Sequence, residues 1–133
     1  MFVEDLLTYS EASYWCQSES AHLASIHNNN TNKFINDNIQ SKGIANAWWI
    51  GLYTAASECT HSQCCNRMTS FRALADGWTW EDGDATNYFN WATGEPNGNG
   101  SEPVVEMYVN GGQWNDITAA AQNSFVCMAP QSK

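Results

Sequence analysis

The most informative stretch of the chain is residues 95–116, which read EPNGNGSEPVVEMYVNGGQWND. Its middle, residues 104–109, is an apolar run that predicts a strand, and Gly111-Gly112 predicts a hairpin turn. Glu95-Pro96-Asn97, Glu102 and Trp114-Asn115-Asp116 flank this strand in a stretch without Lys or Arg, and they contribute five oxygen-bearing side chains: Glu95, Asn97, Glu102, Asn115 and Asp116. Ca²⁺ takes about 6–8 oxygen ligands and tolerates the irregular geometry of loops. The stretch therefore predicts a calcium site.

The length and charge predict one acidic domain spanning residues 1–133. A chain of 133 residues is long enough to bury a core but too short for two domains. Its 14 acidic residues against 5 basic ones give a net charge of −9. Because such a surface repels phosphates, we expect neither nucleic acid nor an anionic membrane as a partner. No apolar run approaches the roughly 18 residues that a membrane span needs.

The cysteine and tryptophan content predicts the compartment. Five Cys and seven Trp accompany only five Lys plus Arg. This composition is typical of a secreted, disulfide-bonded domain, so we predict a secreted, extracellular protein. The first residues lack the basic and then apolar pattern of a leader, which is expected either to have been removed or to be absent from this sequence.

Two helices are predicted in the first third of the chain. Residues 10–16 begin with a capping Ser10 and place three side chains at helical spacing: Ala12, Trp15 and Cys16. A second helix is predicted over residues 31–40, with Gly43 beyond its end. Its apolar stripe is Phe34, Ile35 and Ile39.

Strands dominate the rest of the chain, so the predicted class is α+β. Patterns of alternating or continuous apolar residues predict strands at residues 22–26, 48–52, 78–80, 104–109 and 124–128. A polar, Cys-bearing insertion spans residues 53–76. The polar loop over residues 87–102 is too long to be a mere connection, which points to a functional role.

Seven short motifs follow one another in an order that is specific to one known family. They are His22-Leu23-Ala24-Ser25-Ile26, Trp49-Ile50-Gly51-Leu52, Trp78-x-Trp80 with Asp82-Gly83, Asn90-Trp91, Glu95-Pro96-Asn97, Trp114-Asn115-Asp116 and Phe125-Val126-Cys127. Together they resemble the C-type lectin domain across nearly the whole chain. The resemblance implies two helices flanking antiparallel sheets, with a long loop that binds calcium and sugar. It also implies a cis Glu95-Pro96 peptide and a disulfide between Cys16 and Cys127.

The resemblance assigns roles to the five oxygen-bearing side chains. Carried over to this chain, the calcium and sugar ligands are Glu95, Asn97, Glu102, Asn115 and Asp116. Two neighbouring sugar hydroxyls would complete the shell of the metal, donating to the carboxylates and accepting from the amides. The Glu-Pro-Asn form resembles lectins for mannose, glucose, N-acetylglucosamine and fucose, whereas Gln-Pro-Asp would indicate galactose. Taken singly, Asn97 is better interpreted as a turn residue and Glu102 as a solvated charge, and only the presence of all five residues in family order favours the calcium site.

The chain departs from the family pattern in three places. Gly98 and Pro103 replace acidic residues that often bind additional calcium, so we expect one calcium ion, or two. The family's inner disulfide lacks both ends, at Val104 and Ala119, which suggests that an apolar contact replaces it. Asn99-Gly100-Ser101 is a glycosylation sequon inside the loop, where a glycan would obstruct ligands.

The remaining candidates for chemistry are weaker. The histidines His22, His27 and His61 have no catalytic partner in the sequence, so we predict that the protein is not an enzyme. Cys59, His61, Cys64 and Cys65 offer a zinc site, a cysteine nucleophile beside a histidine, or a local disulfide, of which the disulfide is favoured in an oxidising compartment.

The odd number of cysteines bears on the oligomeric state. Cys59 is predicted to pair with Cys64 or Cys65, which leaves one cysteine either for a disulfide-linked homodimer or as a buried free thiol. The function itself also has two readings. One is a calcium-dependent lectin, and the other is a lectin-like module that binds protein or ice with calcium only structural.

Overall fold

The computed structural model describes residues 1–43, 45–54, 77–98 and 101–130. These ranges contain two helices and seven strands: β1 (Phe2–Leu7), α1 (Tyr9–Ser18), β2 (His22–Leu23), α2 (Asn29–Lys42), β3 (Ala47–Tyr53), β4 (Thr79–Trp80), β5 (Val104–Tyr108), β6 (Trp114–Ile117) and β7 (Asn123–Met128). The predicted α+β class is confirmed. The predictions for Cys59, His61, Cys64, Cys65 and Asn99 fall outside the described residues.

Helix α1 begins at a capping box formed by Thr8 and Glu11, two residues before the predicted cap. Glu11 N donates to the Thr8 hydroxyl at 3.4 Å, and Thr8 N donates to the Glu11 carboxylate at 3.0 Å. Ser10, the predicted cap, lies inside the helix. The prediction was wrong because a Thr-x-x-Glu box satisfies two backbone N–H groups reciprocally, which a lone Ser does not. The helix then turns Ala12 and Cys16 into the core.

Helix α2 extends two residues beyond the predicted bounds at each end. The Asn28 side chain caps it by accepting a backbone N–H at 2.8 Å, and Gly43 ends it, as predicted, in the left-handed region with φ 64°. Ile35 and Ile39 face the core, but Phe34, predicted beside them, is 62% exposed. Among the described residues, neither helix is long and apolar enough to cross a membrane.

The strands form a sheet in the order β1-β7-β3-β5-β6, with β2 added to β7 and β4 added to β3. All pairs are antiparallel except β3 and β7. The predicted strands at β3, β5 and β7 are confirmed, whereas the one at residues 22–26 is limited to His22–Leu23. Strand β1 was not predicted, and β6 was anticipated only through the predicted hairpin turn at Gly111-Gly112. Strand β6 carries the Trp-Asn-Asp motif, so the predicted ligand residues Asn115 and Asp116 belong to the sheet.

Tryptophans fill much of the core. Trp48, Trp49, Trp80 and Trp114 are at most 1% exposed, whereas Trp91 is half-buried. The rings of Trp80 and Trp114 meet edge to face with centroids 5.6 Å apart, a favourable aromatic geometry. Because Trp114 begins β6, this packing fixes the position of the two predicted ligand residues that follow it.

A disulfide joins Cys16 in α1 to Cys127 in β7, as the resemblance implied. Their Cα atoms are 5.6 Å apart, an ordinary separation for a bridged pair. At the positions of the missing inner disulfide, Val104 is buried and lies opposite Ile117 of β6, but Ala119 is exposed. Val104 therefore has an apolar neighbour in β6, at Ile117.

Candidate functional site

The loop that carries Glu95 lies along strand β6. Trp114 N donates to Asn90 O at 2.9 Å, and Ala92 N donates to Trp114 O at 2.8 Å. The indole N–H of Trp114 donates to the Asn32 side chain at 2.8 Å, so the same residue is also tied to α2. The two backbone bonds form a short parallel bridge between Trp91 and Trp114. The bridge holds the loop after Trp91, which contains Glu95, against β6.

The carboxylate of Asp116 holds the turn after the Glu95-Pro96 peptide, which is cis, as the resemblance implied. Asn97 N donates to Asp116 Oδ1 at 3.1 Å, and Gly98 N donates to Asp116 Oδ2 at 2.9 Å. Asp116 is 2% exposed. Each carboxylate oxygen keeps a further lone pair after accepting one N–H, so Asp116 can position the loop and still bind a cation.

The space at Gly98 is occupied by the side chain of Glu102. A Cβ atom built at residue 98 would lie 2.4 Å from Glu102 Cβ and 2.7 Å from its Oε1. Real Cβ atoms do not approach this closely, so any larger residue at position 98 would displace Glu102. The glycine that replaces an acidic residue of the family pattern therefore gives Glu102 its place in the site.

Partial burial and the neighbouring carboxylates raise the pKa values of Glu95 and Glu102. Partial burial, followed by the nearby Asp116 carboxylate and the charge of Glu102, raises the pKa of Glu95. Partial burial, followed by the charges of Asp116 and Glu106, raises the pKa of Glu102. Both shifts mean that the ionised carboxylates are less stable here than in water, and a bound cation would offset their repulsion.

No described cation supplies that charge. The described residues contain two lysines and no arginine, and the two lysines pair elsewhere: Lys33 with Asp37 and Lys42 with Glu4. In addition, Glu95 Oε1 is buried and has no hydrogen-bond partner. A buried carboxylate oxygen without a partner is costly, and a bound metal ion would satisfy it. Oxygen ligands, uncompensated negative charge and this orphaned oxygen all fit Ca²⁺.

Glu106 is a functional candidate that the sequence analysis missed. It lies in β5 opposite Asn115 and is 6% exposed. Its Oε2 accepts from Asn115 Nδ2 and its Oε1 from Asn123 Nδ2, both at 2.9 Å. A lone acidic residue inside the apolar run at residues 104–109 is the sequence signal that points to it, because a buried charge needs dedicated partners.

The structure therefore brings Glu95, Asn97, Glu102 and Asp116 together and places Asn115 beside them, bonded to Glu106. The three carboxylates are not drawn into a tight shell. Within the described part of the chain, the one trio of metal-binding side chains with ligand atoms all within 4.8 Å lies elsewhere, at His27, Asp82 and Asp84.

The chain is similar to known proteins over nearly its whole length. The family described as Lectin C-type domain matches residues 5–129. Lithostathine-1 of Mus musculus is 32% identical over 130 residues, covering 95% of this chain and 68% of that protein. The C-type lectin mannose-binding isoform of Oxyuranus scutellatus is 30% identical over 132 residues, covering 92% of this chain and 71% of that protein.

A solved structure shares the fold. A calcium-independent type II antifreeze protein superposes with a TM-score of 0.71 at 25% identity, covering 95% of this chain and 81% of that chain. Lectins bind carbohydrates without transforming them, so the family is one of binding proteins and not of enzymes. The match over residues 5–129 shows that the chain belongs to the C-type lectin domain family.

Proposed function

We propose that residues 1–133 form one secreted carbohydrate-recognition domain that binds mannose-type sugars in a calcium-dependent manner. The calcium and sugar ligands are Glu95, Asn97, Glu102, Asn115 and Asp116. The sugars are those with equatorial vicinal hydroxyls: mannose, glucose, N-acetylglucosamine and fucose. The observation that carries the proposal is the uncompensated carboxylate group with the orphaned Glu95 Oε1. The Cys16–Cys127 disulfide supports an extracellular location.

The side chains of the chain divide the work of recognition. A calcium ion held by these residues would coordinate two hydroxyl groups of the sugar. The carboxylates of Glu95 and Glu102 accept the hydroxyl protons, while the amides of Asn97 and Asn115 donate to the hydroxyl oxygens. Asn97 Nδ2 lies 3.4 Å from Glu95 Oε2, a long hydrogen bond that a sugar oxygen can replace.

Glu106 fixes which atoms of Asn115 face the site. Since one N–H of the Asn115 amide is committed to Glu106, its carbonyl oxygen is free for the metal and its second N–H for a sugar hydroxyl. Metal ligands in proteins are commonly oriented by such outer partners. Glu106 thus acts as a positioning residue for Asn115.

A second function has one structural observation in its favour. Both oxygens of Asp116 are already bonded to backbone N–H groups, so the loop keeps hydrogen bonds that shape it without any metal. A protein-binding or ice-binding module with calcium only structural would need no more than this. The likeness to a calcium-independent antifreeze protein keeps this alternative open to test.

Retention on mannose resin separates the two functions. The native chain should bind in Ca²⁺ and elute in chelator, whereas a module with structural calcium only would give no chelator-reversible retention. The variant Glu95→Gln with Asn97→Asp reverses the donor and acceptor pattern at nearly constant size, so it should shift preference toward galactose resin. Glu19→Gln, an exposed change at the end of α1, is the matched control and should behave as native.

An unchanged mannose preference of the Glu95→Gln, Asn97→Asp variant would show that these two residues do not read the sugar. Retention of the native chain in chelator would refute the calcium-bridged mechanism itself.

A further inference from the structure

A second group of metal-binding side chains lies outside the sugar-binding loop, after β2 and β4. The ligand atoms of His27, Asp82 and Asp84 all lie within 4.8 Å of one another. His27 Nε2 is 3.1 Å from Asp84 Oδ2. Asp84 N donates to Asp82 Oδ1 at 2.9 Å, which closes the turn and holds the two carboxylates side by side. None of these residues belongs to the proposed sugar site.

The imidazole of His27 is held in an orientation that suits metal binding. Its Nδ1 lies 3.1 Å from Asn87 Oδ1 and its Nε2 lies 3.1 Å from Asp84 Oδ2, so the ring is held on both sides. A metal ion bound at Nε2 would take the place of the proton shared with Asp84 and leave Nδ1–H to donate to Asn87. Metal-bound histidines characteristically donate their other ring N–H to a carbonyl or carboxylate oxygen.

The charge at this turn also calls for a cation. Asp82 and Asp84 are paired with histidines and not with either described lysine. The Ser25 hydroxyl donates to Asp82 Oδ2 at 2.7 Å and fixes that carboxylate. With neutral histidines the turn carries two negative charges, which a divalent ion would offset.

His22 lies beside this group but outside it. Its Nδ1 donates to Leu23 O at 2.7 Å, and its Nε2 is 3.6 Å from Asp82 Oδ2, too far for a hydrogen bond. His22 therefore faces Asp82 without joining the three ligands.

We propose that His27, Asp82 and Asp84 form a Zn²⁺ site that is separate from the sugar-binding loop. One imidazole and two carboxylates suit zinc better than calcium, which prefers oxygen ligands alone. Zinc bonds of 2.0–2.2 Å in tetrahedral geometry place neighbouring ligand atoms about 3.4 Å apart. The 3.1 Å between His27 Nε2 and Asp84 Oδ2 is close to that spacing. The fourth position stays open to water.

Zinc titration by calorimetry, with Ca²⁺ saturating the sugar site, tests the proposal. The native chain should bind one zinc ion, and His27→Gln or Asp84→Asn should weaken binding at least about tenfold, since even outer partners of a metal contribute that much. Glu19→Gln, the exposed control used for the sugar site, should change the affinity by less than about threefold. Thermal melting without zinc shows whether each variant is folded, and His27 is partly exposed, so His27→Gln should fold.

Two further arms make the result decisive. A variant with Cys59, Cys64 and Cys65 changed to Ser and His61 to Gln should still bind zinc; loss of binding there would place the ion in the insertion and overturn the proposal. In nitrogen-15 NMR, zinc should shift the His27 Nε2 resonance more than that of Nδ1. No zinc uptake, or uptake that His27→Gln leaves unchanged, would also overturn it.

Discussion

Replacing Glu106 with Met tests whether the hydrogen bond to Glu106 orients the Asn115 side chain. Met has a similar length but no acceptor, so both amide donors that Glu106 now holds at 2.9 Å lose their partner. Loss of an outer partner typically lowers metal affinity 10–100-fold, or about 1.4–2.7 kcal/mol. We expect a loss of this size in calcium affinity, with a parallel loss in mannose affinity.

Stability should fall as well, because hydrogen bonds to a charged group contribute about 1.5–3 kcal/mol each. Part of that loss is offset when the buried carboxylate is removed, so we expect the free energy of unfolding to drop by roughly 2–4 kcal/mol. The assay is calcium titration by calorimetry on protein shown to be folded by circular dichroism.

Asn123→Ala is the matched control for this prediction. It removes the bond to Glu106 Oε1 but leaves the Asn115 bond to Oε2 intact. Calcium affinity should therefore stay within about threefold of native, although stability falls. A folded Glu106→Met variant with native calcium affinity would show that Asn115 needs no support from Glu106.

Three further predictions concern the Cys16–Cys127 disulfide, the residue at position 98 and the effect of pH. Changing Cys16 and Cys127 to Ala removes a disulfide with a sequence separation of 111, whose contribution to the free energy of unfolding is about 4.8 kcal/mol from chain entropy. Calorimetry should show a melting temperature lower by roughly 15 °C. An unchanged melting temperature would contradict the estimate. Gly98→Ala should displace Glu102 and weaken calcium binding at least about tenfold in titration; native affinity would contradict the crowding at this position. Calcium binding requires ionised carboxylates, and the pKa values of Glu95 and Glu102 are raised in the metal-free protein. Calcium affinity measured by titration should therefore be full at neutral pH and fall on acidification, and an affinity that does not change with pH would refute this.

Local sequence signals and tertiary packing together determine where the helices begin and which side chains they bury. The Thr8 and Glu11 box was present in the sequence, three residues apart, but Ser10 offered a competing cap. Phe34 is adjacent to Ile35 in sequence, and a step of about 100° around the helix turns it away from the core. It instead lies beside Phe2, with ring centroids 6.5 Å apart. No sequence pattern announces that contact, because β1 itself was not predicted.

Strand β1 exists because of a distant partner. Its residues include two acids in a row and lack regular alternation, so periodicity gives no strand signal. Pairing with β7, more than a hundred residues later, supplies its hydrogen bonds. Such long-range pairing is not encoded in a local pattern.

The sequence identifies the candidate site residues, but the structure is needed to show how they are positioned. Residue types and motif order were enough to name Glu95, Asn97, Glu102, Asn115 and Asp116 as candidate ligands. They did not reveal that Asp116 holds the backbone of the loop or that Gly98 makes room for Glu102. Those relations join residues from separate strands and loops, so they become visible only when the sheet is assembled.

The most direct test of the calcium-bridged lectin is a glycan array probed with the full chain in Ca²⁺ and again in chelator. The account predicts signals on mannose, glucose, N-acetylglucosamine and fucose glycans that disappear in chelator and return when Ca²⁺ is restored. Galactose-terminated glycans should remain dark. Binding that persists unchanged in chelator, or an array without any mannose-type signal in Ca²⁺, would contradict it.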